Sequence, residues 1–161
     1  MIAQRLRVAA YAVCWRDEHL LLARWVSPDR VRRHWTLPGG GVEHAEDPFD
    51  AVVREVAEET GYEAQVEQLL GVNSRTRHVE GRHDPDGVEL HMLAVFYRAG
   101  IVGGELRSET GGTTDLARWV PLAQVVTLER SVVVDIGLEL HRSTPPTGHL
   151  APIRTTGLLR H

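Results

Sequence analysis

The stretch PGGGVEHAEDPFDAVVREVAEETGY, residues 38–62, constrains the fold of this chain more than any other. Its local signals predict an α-helix over residues 48–60. Asp47 can cap the amino end of this helix, and Pro48 suits the first helical position. Gly61 can end it in the left-handed conformation. A glycine-rich loop therefore leads into a short helix with defined ends.

Three glutamates share one face of the predicted helix, namely Glu55, Glu58 and Glu59. At about 100° per residue they lie within an arc of about 100°, and the apolar residues occupy the other side. Carboxylates that converge repel one another, and a divalent cation such as Mg²⁺ removes that repulsion because it prefers oxygen ligands. A solvated acidic face, with a local salt bridge to Arg54, is the alternative interpretation of these glutamates alone.

The rest of the chain alternates strand patterns with one further helix, which indicates a mixed α/β layer architecture. The apolar pattern predicts a hairpin over residues 5–25. It also predicts strands over 35–37, 64–77, 88–100 and 116–122, polar loops over 78–87 and 101–115, and a helix over 128–142. We expect one domain over residues 1–142, followed by an extended or mobile tail over 143–161.

Composition excludes several classes of protein. A length of 161 residues suits one domain, and a net charge of −4 argues against a nucleic-acid-binding surface. The single cysteine, Cys14, is consistent with a reducing compartment. No apolar run approaches the roughly 20 residues of a membrane helix. The sequence therefore predicts a cytoplasmic protein without nucleic-acid or membrane partners.

Residues 40–62 complete a spaced pattern, G-x5-E-x7-R-E-U-x-E-E-x-G-U, in which U is a bulky apolar or aromatic residue. The positions are filled by Gly40, Glu46, Arg54, Glu55, Val56, Glu58, Glu59, Gly61 and Tyr62. This pattern resembles the Nudix box of the MutT-like Nudix hydrolases. The resemblance implies an α/β/α sandwich around a mixed β-sheet. It also implies hydrolysis of a nucleoside diphosphate linked to a group X, by attack of water on phosphorus.

The resemblance also implies roles for the residues of the box. Glu55, Glu58 and Glu59 would ligate Mg²⁺, or alternatively Mn²⁺, with the backbone carbonyl of Gly39 as a further ligand. Arg54 would hold one of these glutamates in orientation. Two further members of the pattern would be structural, namely Glu46 and Gly61.

The general base varies among members of the family, so several candidates stay open. Within the box, Glu58 and Glu59 are the candidates. A later loop offers Glu105, Glu109 and Asp115, of which Glu109 is preferred because a Thr-Gly-Gly run follows it. Acidic loop residues are mostly solvated, which is the alternative for all three.

Substrate-binding residues are harder to predict. The family often has an arginine at the position of Arg24 that reaches the substrate, and Arg32 and Arg33 can meet phosphates as bidentate donors. Surface arginines that only aid solubility are the alternative for the loop pair. Three aromatic residues can stack on a base or belong to the core: Trp35, Phe96 and Tyr97.

The family's signatures for ADP-ribose, dinucleoside polyphosphate and coenzyme A substrates are missing here. A nucleoside triphosphate or a related small nucleotide is therefore favoured. Two alternatives remain: a non-catalytic module that binds a nucleotide metabolite, and an isoprenoid diphosphate isomerase. The isomerase would need a protonating cysteine, and Cys14 lies in a predicted core strand. The sequence allows a homodimer but does not specify one.

Overall fold

The computed structural model describes residues 2–81, 84–153 and 159–160. The strands are β1 (Ala3–Val13), β2 (Trp15–Arg16), β3 (His19–Val26), β4 (Arg33–Thr36), β5 (Gly39–Gly41), β6 (Tyr62–Gly81), β7 (Asp84–Gly104), β8 (Thr114–Pro121), β9 (Arg130–Ser131) and β10 (Leu159–Arg160). The helices are α1 (Pro48–Thr60), α2 (Leu122–Val125) and α3 (Val132–Ser143).

The strands form two sheets. The first sheet has the order β5-β1-β7-β6, in which β1 is parallel to β7 and the other pairs are antiparallel. The second sheet has the order β10-β9-β4-β3-β2, and β8 pairs with β3. Both sheets therefore mix parallel and antiparallel pairs, with β1 in the interior of the first and β3 in the interior of the second.

The second half of strand β1, residues 9–13, is buried on both faces, which explains its run of apolar residues. Alternate side chains enter two separate cores, because successive residues of a strand point to opposite faces. One core contains Ala9, Tyr11 and Val13 and is covered by α3, whereas the other contains Ala10, Ala12 and Cys14 and is covered by α1. The sheets thus lie between two helices, and the predicted α/β sandwich is confirmed.

The prediction of a hairpin over residues 5–25 is wrong for most of its length. Only the two residues of β2 pair with β3, at Trp15 with Leu20 and Arg16 with His19. The main partner of β1 is β7, about 85 residues further along the chain. The chain changes sheets at Cys14, whose carbonyl accepts a hydrogen bond from Leu21 N at 3.0 Å.

Two further predictions are corrected by pairing between distant strands. The glycines at 39–41 do not merely stop a strand, since they form β5 and pair with residues 9–11 of β1. The predicted polar loops at 78–87 and 101–115 are partly strand, because β6 extends to Gly81 and β7 runs from Asp84 to Gly104. Cross-strand hydrogen bonds along the β6–β7 hairpin satisfy the backbone groups of these segments, although their polar composition is typical of a loop.

The ends of the helices follow their local signals. Helix α1 spans Pro48–Thr60 as predicted, Asp47 Oδ1 accepts from Phe49 N at 2.8 Å, and Gly61 adopts the left-handed conformation with φ of 75°. Helix α3 begins four residues later than the predicted residue 128. Ser131 caps it, because the Ser131 hydroxyl oxygen accepts from Val133 N at 3.2 Å.

The residues after α3 pack against the rest of the fold where the structure describes them. Val72 N donates to the Gly148 carbonyl at 3.0 Å. A β-carbon on Gly71 would lie 2.2 Å from that same oxygen, so only glycine permits this approach. Leu150 and Ile153 pack against the core under α3. Residues 154–158 and 161 of the predicted tail lie outside the described residues.

Within the described part of the chain, no helix is both long enough and apolar enough to cross a lipid bilayer.

Candidate active site

Helix α1 places its three glutamates in different environments. The side chain of Glu58 is 50% exposed and that of Glu55 is 15% exposed, whereas Glu59 is only 3% exposed. Glu59 Oε2 accepts a hydrogen bond from Gly39 N at 2.9 Å. The alternative of a solvated acidic face therefore does not apply to Glu59, which is buried against the glycine-rich strand β5.

The glycines of β5 allow the backbone to approach these carboxylates closely. A β-carbon on Gly40 would lie 2.6 to 2.9 Å from the carboxylate atoms of Glu55. Gly39 has φ of 144°, and a β-carbon there would lie 2.2 Å from the Ala10 carbonyl oxygen. The glycine-rich loop is therefore a steric requirement of the site.

Arg54 links the glutamates to the start of the helix. Its guanidinium donates to both carboxylate oxygens of Glu46, at 2.8 and 2.9 Å. Nη1 also donates to Glu55 at 3.1 Å and to Glu58 at 3.2 Å, and Nη2 donates to the Gly41 carbonyl at 3.2 Å. Hydrogen bonds from Arg54 lower the pKa of Glu46 to about 2. Arg54 thus fixes two of the three glutamates relative to β5.

Burial and neighbouring negative charges raise the pKa of two of these carboxylates, Glu55 and Glu59. Burial is the main cause of the raised pKa of Glu59, and the negative charges of Glu55, Glu109 and Glu58 raise it further, in that order. Burial also raises the pKa of Glu55, although Arg54 opposes this effect. The group as a whole is short of positive charge, since Arg54 is shared among Glu46, Glu55 and Glu58 and does not hydrogen-bond Glu59. A cation beside Glu59 would relieve this repulsion.

The donor set fits a hard divalent cation. Among residues 2–81, 84–153 and 159–160, no three His, Cys, Asp or Glu side chains converge as a closed set of ligands, because Arg54 holds Glu55 and Glu58 and Gly39 N holds Glu59. The bonds from Arg54 Nη1 are, however, longer than its paired bonds to Glu46. A cation that displaced only these two longer bonds would free Glu55 and Glu58 and leave Arg54 with Glu46. All-oxygen carboxylate donors suit Mg²⁺ and Mn²⁺.

The acidic residues of the later loop differ in their partners. Glu109 Oε2 accepts from the backbone N and the hydroxyl of Thr114, at 3.0 and 2.8 Å, and its charge acts on Glu55 and Glu59. Asp115 is instead paired with two arginines, which lower its pKa. Glu105 is exposed. Of the three loop candidates, Glu109 therefore has the geometry best suited to act with the α1 glutamates.

A cleft of about 1190 Å³ opens beside Glu59. Its walls come from both sheets and from the loop between β3 and β4, and they include Gly39, Gly40 and five arginines: Arg7, Arg32, Arg33, Arg75 and Arg77. Arg32 and Arg33 are among the predicted substrate-binding residues. The third, Arg24, does not line the cleft, and its guanidinium is paired with Asp115 at 2.8 and 3.1 Å. At one end of the cleft lies the acidic corner, which consists of Glu59 with its neighbours Glu55 and Glu58. The five arginines form the arginine wall of the same cleft.

Of the two alternatives for the aromatic residues considered above, the structure supports packing in or against the core. Phe96 and Trp35 are buried in the core, and Tyr97 packs edge-on against Phe49. The cleft is lined instead by Tyr11 and by Trp25, whose indole stacks on His34 with ring centroids 4.7 Å apart.

Sequence reasoning also missed Arg7 and Arg75. Each belongs to a strand, in which alternate side chains point to the same face. The even spacing of Arg7 and Tyr11 was therefore a signal that both lie on one face of β1. That signal could not be used without knowing which strands pair with β1.

Cys14 does not have the properties of a protonating group. Its side chain is fully buried, and burial raises the pKa of its thiol to about 12. It belongs to the core under α1, and the cleft residues do not include it. The isoprenoid diphosphate isomerase alternative therefore lacks its required cysteine.

Comparison with known proteins agrees with this arrangement. The NUDIX domain family model matches residues 5–136. An ADP-ribose pyrophosphatase from Methanocaldococcus jannaschii is 35% identical over 101 residues, which is 63% of this chain and 54% of that protein. The chain therefore spans about half the length of this curated relative.

Solved structures show the same likeness. A MutT NUDIX hydrolase from Burkholderia pseudomallei is 30% identical with a TM-score of 0.55, covering 74% of this chain and 85% of that one. A NUDIX hydrolase from Nitrosomonas europaea shares the fold, with a TM-score of 0.68 at 22% identity over 86% of this chain and 90% of that one. With a family model over residues 5–136 and the complete glutamate motif on α1, this chain belongs to the NUDIX domain family.

Proposed function

We propose that this protein is a magnesium-dependent pyrophosphohydrolase that cleaves a nucleoside diphosphate linked to a group X. The observation that carries the proposal is the group of α1 glutamates, which repel one another at the edge of a cleft with an arginine-lined wall. Such a cleft can hold a polyphosphate, whose negative charges must be neutralised before a nucleophile can approach. Products would be a nucleoside monophosphate and the phosphate of X, by attack of water on phosphorus.

Four groups would hold the metal ion. They are the carboxylates of Glu55, Glu58 and Glu59 and the backbone carbonyl of Gly39. When bound, magnesium would supply positive charge that neutralises the phosphate oxygens and acidifies the attacking water; manganese would supply the same chemistry. Arg54 has a positioning role, since it contacts Glu55 and Glu58 and is itself held by Glu46.

The general base would be one of the carboxylates that surround the acidic corner. Glu58 and Glu59 are candidates on α1, and Glu109 is the candidate from the later loop. Thr114 fixes one oxygen of Glu109 through two hydrogen bonds. Such a carboxylate can accept a proton from water without changing its position. Arg32 and Arg33 would bind substrate phosphates from the opposite wall, whereas Arg24 would act indirectly by holding Asp115.

For the substrate, a nucleoside triphosphate or a related small nucleotide is our first candidate. ADP-ribose is the second, because a relative with 35% identity is named as an ADP-ribose pyrophosphatase. A non-catalytic module that binds a nucleotide metabolite is the alternative function. A cytoplasmic location and a homodimer remain part of the proposal.

A substrate panel measured with magnesium and with EDTA tests this function. The panel contains nucleoside di- and triphosphates, ADP-ribose, nucleotide sugars and dinucleoside polyphosphates, with release of phosphate or pyrophosphate as the measurement. We expect turnover of at least one compound with magnesium and loss of that turnover in EDTA. Binding of a nucleotide without turnover of any compound would establish the non-catalytic alternative instead.

A further inference from the structure

The cleft is basic although the chain as a whole is acidic. The net charge of the chain is −4, yet among the residues that the structure describes five arginines and three carboxylates line the cleft. The first sheet, beyond the glycine-rich strand β5, contributes Arg77 and two arginines that share Met92 as a pairing partner, Arg7 and Arg75. Neither belongs to the family motif on α1, so the motif does not explain their presence in the cleft.

Arg7 and Arg75 are aligned by the register of the sheet. Met92 on β7 pairs with Arg7 on one side and with Arg75 on the other. Side chains at matched positions point to the same face, and strands lie about 4.8 Å apart, so the two arginine backbones are about 10 Å apart. All three residues line the cleft, and Met92 is buried between them. Two guanidinium groups therefore flank an apolar floor.

This pair lies next to the acidic corner. Arg7 Nη2 lies 3.5 Å from the position of a β-carbon on Gly41, in the strand whose other glycines contact Glu55 and Glu59. The charges of both arginines and of both glutamates act on the phenol of Tyr11, so all four side chains lie near this ring. A ligand held at the acidic corner can thus extend directly to Arg7 and Arg75.

The charge of Arg75 has no carboxylate partner inside the described part of the fold. Arg24, Arg54 and Arg130 each form paired hydrogen bonds with a carboxylate. By contrast, no side chain among the described residues forms a hydrogen bond or ion pair with Arg75, which is half-buried. A partly desolvated guanidinium without a counter-ion is stabilised when an anionic ligand binds.

We propose that Arg7 and Arg75 bind a third phosphate of the substrate, next to the pyrophosphate that is hydrolysed. This inference rests on the proposed function and narrows its substrate class. The preferred substrates are compounds with three phosphates, such as a nucleoside triphosphate, over a diphosphate whose X is an uncharged sugar. Two guanidinium groups supply up to four N–H donors to one phosphate, which the neutral hydroxyls of a sugar do not match in strength.

Binding of inorganic tripolyphosphate in EDTA, measured by calorimetry, tests the site independently of turnover. We expect the wild-type protein to bind, and Arg7→Gln and Arg75→Gln each to weaken binding by about tenfold or more, because a charge-assisted hydrogen bond is lost. The matched control is Arg5→Gln, on the same face of β1 but outside the cleft, which should change the Kd less than about twofold. Circular dichroism confirms folding of each variant.

Three results of this titration would overturn the proposal. They are absence of tripolyphosphate binding by the wild-type protein, unchanged binding in both cleft variants, and an equal loss in Arg5→Gln. A wild-type protein that binds tripolyphosphate with this dependence but hydrolyses no nucleotide would support the phosphate site and refute the hydrolase function. The two proposals are therefore tested separately.

Steady-state kinetics then distinguish binding of a third phosphate from binding of the pyrophosphate that is hydrolysed. In Arg75→Gln we expect kcat/KM for a nucleoside triphosphate to fall about tenfold or more, while kcat/KM for ADP-ribose stays within about threefold of its wild-type value. An equal loss for both substrates would assign the arginine to the scissile pyrophosphate and would overturn the proposal.

Discussion

Replacing Glu59 with glutamine is expected to lower kcat by about 10³-fold or more, because a metal-held carboxylate contributes several kcal/mol to the transition state. The fold should persist. Glutamine keeps an oxygen that can accept from Gly39 N, as Glu59 does at 2.9 Å. It also removes a carboxylate whose pKa is raised mainly by burial, so no favourable charge is lost from the metal-free protein. The measurement is kcat at saturating substrate and magnesium, with circular dichroism to confirm folding.

Glu46→Gln is the matched control for this prediction. Glu46 lies in the same motif but contacts Arg54 and the backbone N of Glu43, away from the cleft. Its effect should be far smaller, roughly tenfold, because it acts only through the orientation of Arg54. Near-normal kcat in both Glu58→Gln and Glu59→Gln would contradict the assignment. A loss in Glu46→Gln as large as that in Glu59→Gln would show that the roles are exchanged.

Gly39→Ala is expected to have the largest effect on stability, lowering the free energy of unfolding by about 3 kcal/mol or more. A β-carbon there would lie 2.2 Å from the Ala10 carbonyl oxygen and 2.7 Å from Tyr11 Cα. Both are backbone atoms of β1 and cannot turn aside. The residue also has φ of 144°, which L side chains rarely adopt. Urea unfolding, followed by circular dichroism, measures the change.

Gly111→Ala separates the two causes of that instability. Gly111 has φ of 81°, but a β-carbon there meets nothing within 4 Å. It therefore carries backbone strain without a steric clash, at a cost of about 1 kcal/mol. If Gly39→Ala costs no more than Gly111→Ala, the close packing of β5 against β1 is not the reason for the glycine. The activity of the folded fraction of Gly39→Ala then shows whether Gly39 is also required for catalysis.

Features with local causes were predictable from the sequence. The ends of α1 follow from Asp47 and Gly61, each of which acts within a few residues of itself. The burial of Glu59 could not be predicted, because a helical wheel shows the direction of a side chain but not which strand passes beside it. Only the pairing of residues 9–11 with the glycines at 39–41 places β5 there.

Features that depend on distant pairing could not be predicted. The hairpin over residues 5–25 was wrong because β1 finds its partner about 85 residues away. For the same reason the arginines that the first sheet contributes to the cleft were missed. Arg7 and Arg75 become neighbours only through their shared partner Met92, and neither has a local pattern that distinguishes it from a surface arginine.

Titration of Mn²⁺ followed by electron paramagnetic resonance measures directly whether the α1 glutamates hold a divalent cation at the edge of the cleft. Bound and free Mn²⁺ give different signals, so the signal reports the fraction bound. We expect the wild-type protein to bind Mn²⁺ and each of Glu55→Gln, Glu58→Gln and Glu59→Gln to weaken binding by at least about tenfold. Equal affinity in the wild-type protein and all three variants would contradict the claim.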